Sequence, residues 1–207
     1  MIQERISGDH YLALKSKSEG LYKDRGSKFI AIALPLEGES QLNELLDEVK
    51  KQYYDARHWC YAYRCQPKEP QVRFNDDGEP AHSAGTPIFN AIQSSELWNV
   101  LVVVVRYFGG TKLGVPGLIK AYRGAAEAAL SGAKHKDVYL YRYFEMRFPY
   151  EAMDAVMRVL PHSHFEIFEE AMAADAGYKL RVRLNNYNEA LQQITDLYQI
   201  KLKEINE

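Results

Sequence analysis

Cysteine is scarce in this sequence, with two residues in 207. Cys60 and Cys65 stand five apart in a segment that reads as a strand, so they point to opposite faces and neither pair in a disulfide nor share a metal. Two free thiols fit a reducing compartment, and the expected localisation is cytoplasmic. Charge of one sign is not in excess either. The formal net charge of −2 gives no bulk attraction to nucleic acid or membrane and confines any such attraction to a local patch. Long hydrophobic runs are missing. Val100 to Val105 is the longest, far short of the roughly 20 residues of a membrane helix, so no membrane partner is expected. The opening Met1-Ile2-Gln3-Glu4-Arg5 leads into no apolar stretch, and no signal peptide is expected. HExxH, EF-hand, GxxxxGK[ST] and GxGxxG patterns are all absent, and neither metal nor cofactor is expected.

What is present is the composition of a packed globular protein, with 46% hydrophobic and 26% charged residues, long enough for two domains. Residues 11–16 and 28–36 read as strands, with a charged loop holding Gly20 and Gly26 between them. Leu42, Leu45, Leu46, Val49 and Tyr53 share one face of a helix over 41–53, with Ser40 as its cap. The aromatic run 58–65 reads as a strand, and Gln66 to Gly85 as a polar loop. Thr86 and Pro87 suit the cap and first position of a short helix that buries Ile88, Phe89, Ala91 and Ile92. The apolar run 100–105 reads as a central strand buried on both faces. Glycines at 109, 110, 114 and 117 lead into a small-residue helix from Pro116 to Ser131. Ala133 to Asp137 reads as a linker, placing the domain break near residue 135. Beyond it, strands at 138–148, 164–172, 178–184 and 200–205 alternate with two amphipathic helices. That order, βαββαβ, is the ferredoxin-like motif and a doubled βαβ unit. Residues 1–137 carry a formal charge of +1 and residues 138–207 carry −3, so neither half is a basic module.

Two segments concentrate side chains capable of chemistry. In the first, Asp76, Asp77 and Glu79 crowd a tight Gly78-Pro80 loop. They read either as metal ligands or a general acid and base, with His58 or His82, or as an Asx-type turn whose carboxylates accept backbone N–H groups and pair with arginines. In the second, Gly109, Gly110, Gly114 and Gly117 lie between a buried strand and a helix start. That is where free N–H groups and the helix dipole attract anions, although glycines there also serve close packing. No acid occurs from Leu97 to Ala126, whereas Arg106, Lys112, Lys120 and Arg123 do. Arg57 and His58 stand at a strand start that can bring them near these loops. Lys179, Arg181 and Arg183 share one face of a later strand, either a solvated face or one suited to RNA.

Several stretches resemble the signature of the YigZ/Impact family: Asp76-Asp-Gly-Glu-Pro80, Ala84-Gly85, Pro87, Val102-Val-Val-Val-Arg-Tyr-Phe-Gly-Gly110, Leu113-Gly114, Gly117-Leu118 and Lys120-Ala-Tyr122, supported by Asp55-Ala-Arg-His58 and Ser27-Lys-Phe-Ile30. His82-Ser83 and Pro116 depart from the family pattern. The resemblance implies an α+β protein of two domains. Residues 1–134 would form an Impact-like domain resembling domain IV of the translocation elongation factor, a ribosomal-protein-like βαβ fold. Residues 135–207 would form a ferredoxin-like βαββαβ domain resembling domain V of that factor. It also implies a binding role around translation, with RNA, the ribosome or a translation-associated protein as partner. The expected ligand site comprises Arg57, His58, Arg106, Gly109, Gly110, Lys112, Gly114, Gly117 and Lys120 beside the acidic loop Asp76, Asp77, Gly78, Glu79 and Pro80. The alternative is a phosphate- or nucleotide-binding enzyme in which the acidic loop holds a cation.

Overall fold

The computed structural model describes residues 8–170, 175–195, 197 and 199–206. The chain divides into two compact units, Tyr11–Val138 and Tyr139–Glu207, with residues 8–10 belonging to the second. Up to Tyr107 the strands are β1 (His10–Leu14), β2 (Ser18–Asp24), β3 (Ser27–Pro35), β4 (His58–Cys65), β5 (Gln71–Asn75), β6 (Leu97–Trp98) and β7 (Val100–Tyr107). The helices of the first unit are α1 (Leu42–Gln52), α2 (Gly85–Ser94) and α3 (Gly114–Ser131). Among the described residues no helix is long and apolar enough to cross a membrane.

The core of the first unit is a five-stranded sheet in the order β2-β3-β7-β4-β5, antiparallel throughout. Strand β7 lies at its centre, and its first six residues are buried, as their apolar character requires. Val100, Val102 and Val104 face a core that includes residues of α2 and α3, while Leu101, Val103 and Val105 face one that includes α1 residues. The odd spacing of Cys60 and Cys65 puts them in these two different cores, both as free thiols.

Several local expectations change. The stretch with Gly20 and Gly26 is no loop: β2 and β3 form a hairpin turning at Arg25-Gly26. Strand β2 has a polar, alternating pattern with little β-propensity, and it is held by α3. A side chain at Gly20 would come within 2.3 Å of the Ala129 backbone nitrogen, so glycine there allows the helix to lie directly on the strand. The polar loop after Cys65 contains the edge strand β5. Ser40 does not cap α1, which is entered through a 3-10 turn at Glu39–Gln41. The supposed linker at 133–137 overlaps a strand, β8 (His135–Tyr139), in a small sheet of order β6-β1-β8.

The second unit runs β9 (Tyr141–Phe148), α4 (Met153–Val159), β10 (Glu166–Glu170), β11 (Ala176–Arg183), α5 (Tyr187–Thr195) and β12 (Lys201–Ile205). Its antiparallel sheet has the order β10-β11-β9-β12. Phe144, Met146, Phe148, Leu180 and Val182 share a core with Val156, Leu160, Ala190 and Ile194, so both helices cover one sheet face. Residues 171 and 172 of the expected third strand lie outside the described residues.

Asp9 is 1% exposed and accepts a two-pronged bond from Arg183 at 3.1 and 2.9 Å. The Asn185 backbone and side chain also donate to it. The Arg183 bonds hold its carboxyl below the ordinary value of 3.8, against the opposing effect of burial. A depressed carboxylate contributes stability above its unfolded pKa, and that contribution is lost as pH falls through the folded pKa. Asp9→Asn should cost about 1–3 kcal/mol at pH 7. The gap from the parent should narrow as pH drops below about 4. Thermal melting of both chains across pH checks this, and a pH-independent gap would remove the charge from the explanation.

Candidate functional site

The acidic loop follows the edge strand β5 and precedes α2. Asp76 turns back into the backbone. Its Oδ1 accepts the N–H groups of Ala84 and Gly85 at 2.9 and 2.8 Å, and its Oδ2 accepts that of His82 at 2.9 Å. These N–H groups lie at the start of α2, which begins at Gly85 with no side-chain cap from its own N-cap residue. The expected cap at Thr86 is therefore replaced by the Asp76 carboxylate, ten residues upstream of Thr86, where a negative charge also suits the helix dipole. Asp77 Oδ2 accepts the N–H of Trp59 at 2.7 Å. Its carbonyl lies 2.8 Å from His58 Nδ1. A carbonyl only accepts, so Nδ1 carries the proton and Nε2 is the ring's second site. Gly78 packs beside the His58 ring, and the Pro80 carbonyl accepts the Ser83 N–H and hydroxyl at 3.0 and 2.6 Å.

Glu79 points into the protein. Its Oε1 accepts Arg106 Nη1 at 2.5 Å and the Tyr122 hydroxyl at 2.8 Å. The Glu79 and Arg106 side chains are 4% and 10% exposed. Burial pushes the Tyr122 hydroxyl well above the ordinary tyrosine range, with Cys60 and Glu79 adding to the rise. Among the loop's carboxylates the arginine partner is Glu79, while Asp76 and Asp77 are held by backbone donors. Arg106 Nε is buried without a hydrogen-bond partner among the described residues.

In the glycine segment, Gly109 serves packing. A side chain there would lie 1.9 Å from the Gly26 carbonyl carbon, and its N–H donates to Ser27 Oγ at 3.1 Å. That N–H is therefore already engaged within the protein. Gly110 has nothing within 4 Å of where a side chain would stand. Gly114 opens α3 and Gly117 lies in its first turn, which has no acidic residue and no side-chain cap.

Four expected residues meet at one depression of about 540 Å³, lined by Asp55, Ala56, Arg57, His58, Arg106, Tyr107, Phe108 and Lys112. Arg57 and His58 come from the start of β4, Arg106 from the end of β7, and Lys112 from the glycine loop. Lys120 is exposed on α3 and does not line this depression. The lining residues outside the expected site are Asp55, Ala56, Tyr107 and Phe108, which the sequence offered only as parts of the signature stretches. Tyr107 donates to Asp55 at 2.7 Å, which holds its hydroxyl up at about 12, and Phe108 is 59% exposed. The acid-free stretch is not acid-free in space. Glu79 meets Arg106, Glu127 pairs with Arg123 at 2.7 Å, and Asp55 lies on the rim. Arg57 and Lys112 form no ion pair among the described residues and supply the uncompensated positive charge. Among the described residues no group of three His, Cys, Asp or Glu is placed to hold a metal.

The Impact N-terminal domain family matches residues 25–130. The IMPACT family member in the pol 5′ region of Thermus thermophilus is 36% identical over 156 residues, 75% of this chain and 84% of that one. A crystal structure of a hypothetical protein is 25% identical, with a TM-score of 0.68, covering 96% of this chain and 98% of the other. The two-domain translational regulator Yih1 matches at 26% identity and a TM-score of 0.35, over 63% of this chain and 49% of that one. The chain belongs to the IMPACT family, as its motifs led us to expect, and the family includes YigZ of Escherichia coli. The described residues form an α+β protein with three sheets, and the fold matches that of the hypothetical protein over nearly the whole length of both chains.

Glu79→Gln removes the charge that balances buried Arg106 and should cost roughly 3–5 kcal/mol of unfolding free energy. Tyr122→Phe removes one hydrogen bond to a charged group and should cost about 1.5–3 kcal/mol. Urea titrations of the two variants give the ordering, and equal, small losses would show that the node is not a major structural constraint.

Proposed function

We propose that the chain is a non-catalytic binding protein acting around translation, and that it grips RNA phosphates, free or in the ribosome, at the depression of Arg57, His58, Arg106 and Lys112. One observation carries this reading: cations from three separate segments converge there, while the four neighbouring carboxylates, Asp55, Asp76, Asp77 and Glu79, accept bonds from the protein itself. Guanidinium and ammonium groups at a shallow, open site suit phosphate. The exposed Phe108 ring adds a surface on which a base can stack. Membership of the IMPACT family supports placing the binding around translation, the role that the motif resemblance implies for the family's eukaryotic members.

In the same reading, residues 1–134 form an Impact-like domain resembling elongation factor domain IV. Residues 135–207 form a ferredoxin-like domain resembling domain V, a reading supported by the strand order β12-β9-β11-β10 with both helices on one face. An enzyme using the acidic loop as a cation site has less support. A cation would have to displace the N–H groups on Asp76 and Asp77, or break the Glu79–Arg106 pair.

Arg57→Glu/Lys112→Glu should weaken binding of a mixed-sequence RNA. If each residue makes one phosphate contact, the slope of log K against log salt should fall by roughly 1.4–1.8. Lys120→Glu, outside the depression, should leave the slope nearly unchanged. Filter binding at several salt concentrations reads both. An unchanged slope in the double variant, with the fold intact by circular dichroism, would rule out the depression as an RNA site.

A further inference from the structure

The second unit has a charge pattern that its composition hides. Residues 138–207 carry a formal charge of −3, yet their cations are sorted to one side. Cross-strand partners share a sheet face. Tyr143, Glu145 and Arg147 on β9 stand opposite Arg181, Lys179 and Gly177 on β11, and Arg147, Glu145 and Tyr143 stand opposite Lys201, Lys203 and Ile205 on β12. The other face of these strands holds Phe144, Met146, Phe148 and Leu180 in the core. The helix-free face therefore carries Arg147, Lys179, Arg181, Arg183, Lys201 and Lys203, six of the eight cations in that segment. Its strands contribute three acids, Glu145, Glu166 and Glu169, and Asp9 pairs with Arg183 at the end.

The same face carries a connected row of rings. Tyr141 and Tyr143 have centroids 6.5 Å apart. Phe168, at an irregularity in the β10–β11 pairing, meets Tyr143 edge-on at 5.8 Å and is 47% exposed. Arg181 lies 4.6 Å over the Tyr141 ring. Arg183 is held by buried Asp9 and Arg147 pairs with Glu145, but two other paired cations are not locked away. Arg181–Glu166 and Lys179–Glu169, at 2.8 and 2.7 Å, have all four side chains more than a third exposed. Such surface pairs contribute about 0–1 kcal/mol and yield readily to phosphate. Lys201 and Lys203 form no ion pair among the described residues.

We propose that this sheet face is a second binding site, a platform for single-stranded RNA. Bases would stack on Tyr143 and Phe168, and phosphates would run along the lysines of β12 and the basic residues of β11. Among the described residues no helix covers this face, and an antiparallel sheet with aromatic rings flanked by cations has the chemistry that single strands require, since each base has a π-face and each step a phosphate. A duplex offers no exposed base faces, and an acidic peptide has no use for the ring row.

The test uses the full chain with a 12-nucleotide mixed-sequence RNA, its duplex and polyglutamate as probes, read by fluorescence anisotropy. Tyr143→Leu/Phe168→Leu keeps apolar bulk and removes the stacking surfaces. It should weaken single-strand binding roughly tenfold or more, while Tyr143→Phe should bind as the parent does. Lys201→Glu/Lys203→Glu should lower the salt slope by about 1.4. The duplex should bind at least roughly tenfold more weakly than the single strand. All comparisons are repeated in the Arg57→Glu/Lys112→Glu chain, where the loss caused by the leucine variants should persist. Unchanged affinity in the folded leucine variant would overturn the proposal, as would equal affinity for duplex or for polyglutamate. Loss of all binding in the Arg57→Glu/Lys112→Glu chain would also overturn it, by placing the affinity wholly in the depression.

Discussion

Glu79 and Arg106 meet at 2.5 Å with both side chains nine-tenths or more buried, and the Tyr122 hydroxyl closes on the same carboxylate oxygen. Removing two charges from water costs several kcal/mol per ion, and only close geometry with further hydrogen bonds offsets it. That requirement ties together three parts of the first unit. Glu79 belongs to the acidic loop, Arg106 to the end of the central strand and Tyr122 to α3. Once these meet, Asp76 is positioned over the start of α2 and Asp77 against the first residues of β4. The depression then forms where Arg57, His58, Arg106 and Lys112 are left at the ends of the elements so fixed. Of the loop's three carboxylates Glu79 is therefore used inside the protein, while half-buried Asp76 and exposed Asp77 accept backbone N–H groups.

This architecture also explains what the sequence made legible. The run Val100–Val105 read as a doubly buried central strand because every residue in it is apolar, and both cores of the first unit use it. The βαββαβ order of the second half was legible because helix and strand periodicities alternate cleanly there. Strands β2 and β5 were not legible. Each is an edge strand whose outward positions mix polar residues with exposed Leu21, Val72 and Phe74, and its form is imposed by neighbours: α3 lying on Gly20, and β4 pairing with β5.

The site shows the same division. Arg57, His58, Arg106 and Lys112 were identifiable by charge and by their position at element ends, and they do converge. Lys120 was grouped with them on sequence proximity to the helix start, a criterion that says nothing about which side of a helix a residue occupies. The acid-free interval misled for a related reason. A stretch without acids in sequence becomes a positive field only if no other segment brings acids to it, and Glu79 does so at Arg106. Asp55 and Tyr107 stood in the signature stretches, but nothing in the sequence linked them, since their pairing exists only once β4 and β7 lie side by side.

A chain of net charge −2 is an unpromising ligand for a polyanion only if its charges act as one. They do not at physiological salt, where the Debye length is about 8 Å. In the second unit the helices lie on the core side of the sheet, so the whole apolar core and the sheet itself stand between their outer residues and the opposite face. Glu151 and Asp154 at α4 and Glu189 on α5 therefore act weakly on an anion approaching the opposite face. What such an anion meets is Lys201, Lys203 and the exposed guanidinium and ammonium groups of β11. As salt is lowered the screening length grows and the helix-side acids begin to oppose the approach, which offsets part of the gain in phosphate attraction. The sorting of charge across a sheet, which is invisible in composition, thus decides whether the net charge matters.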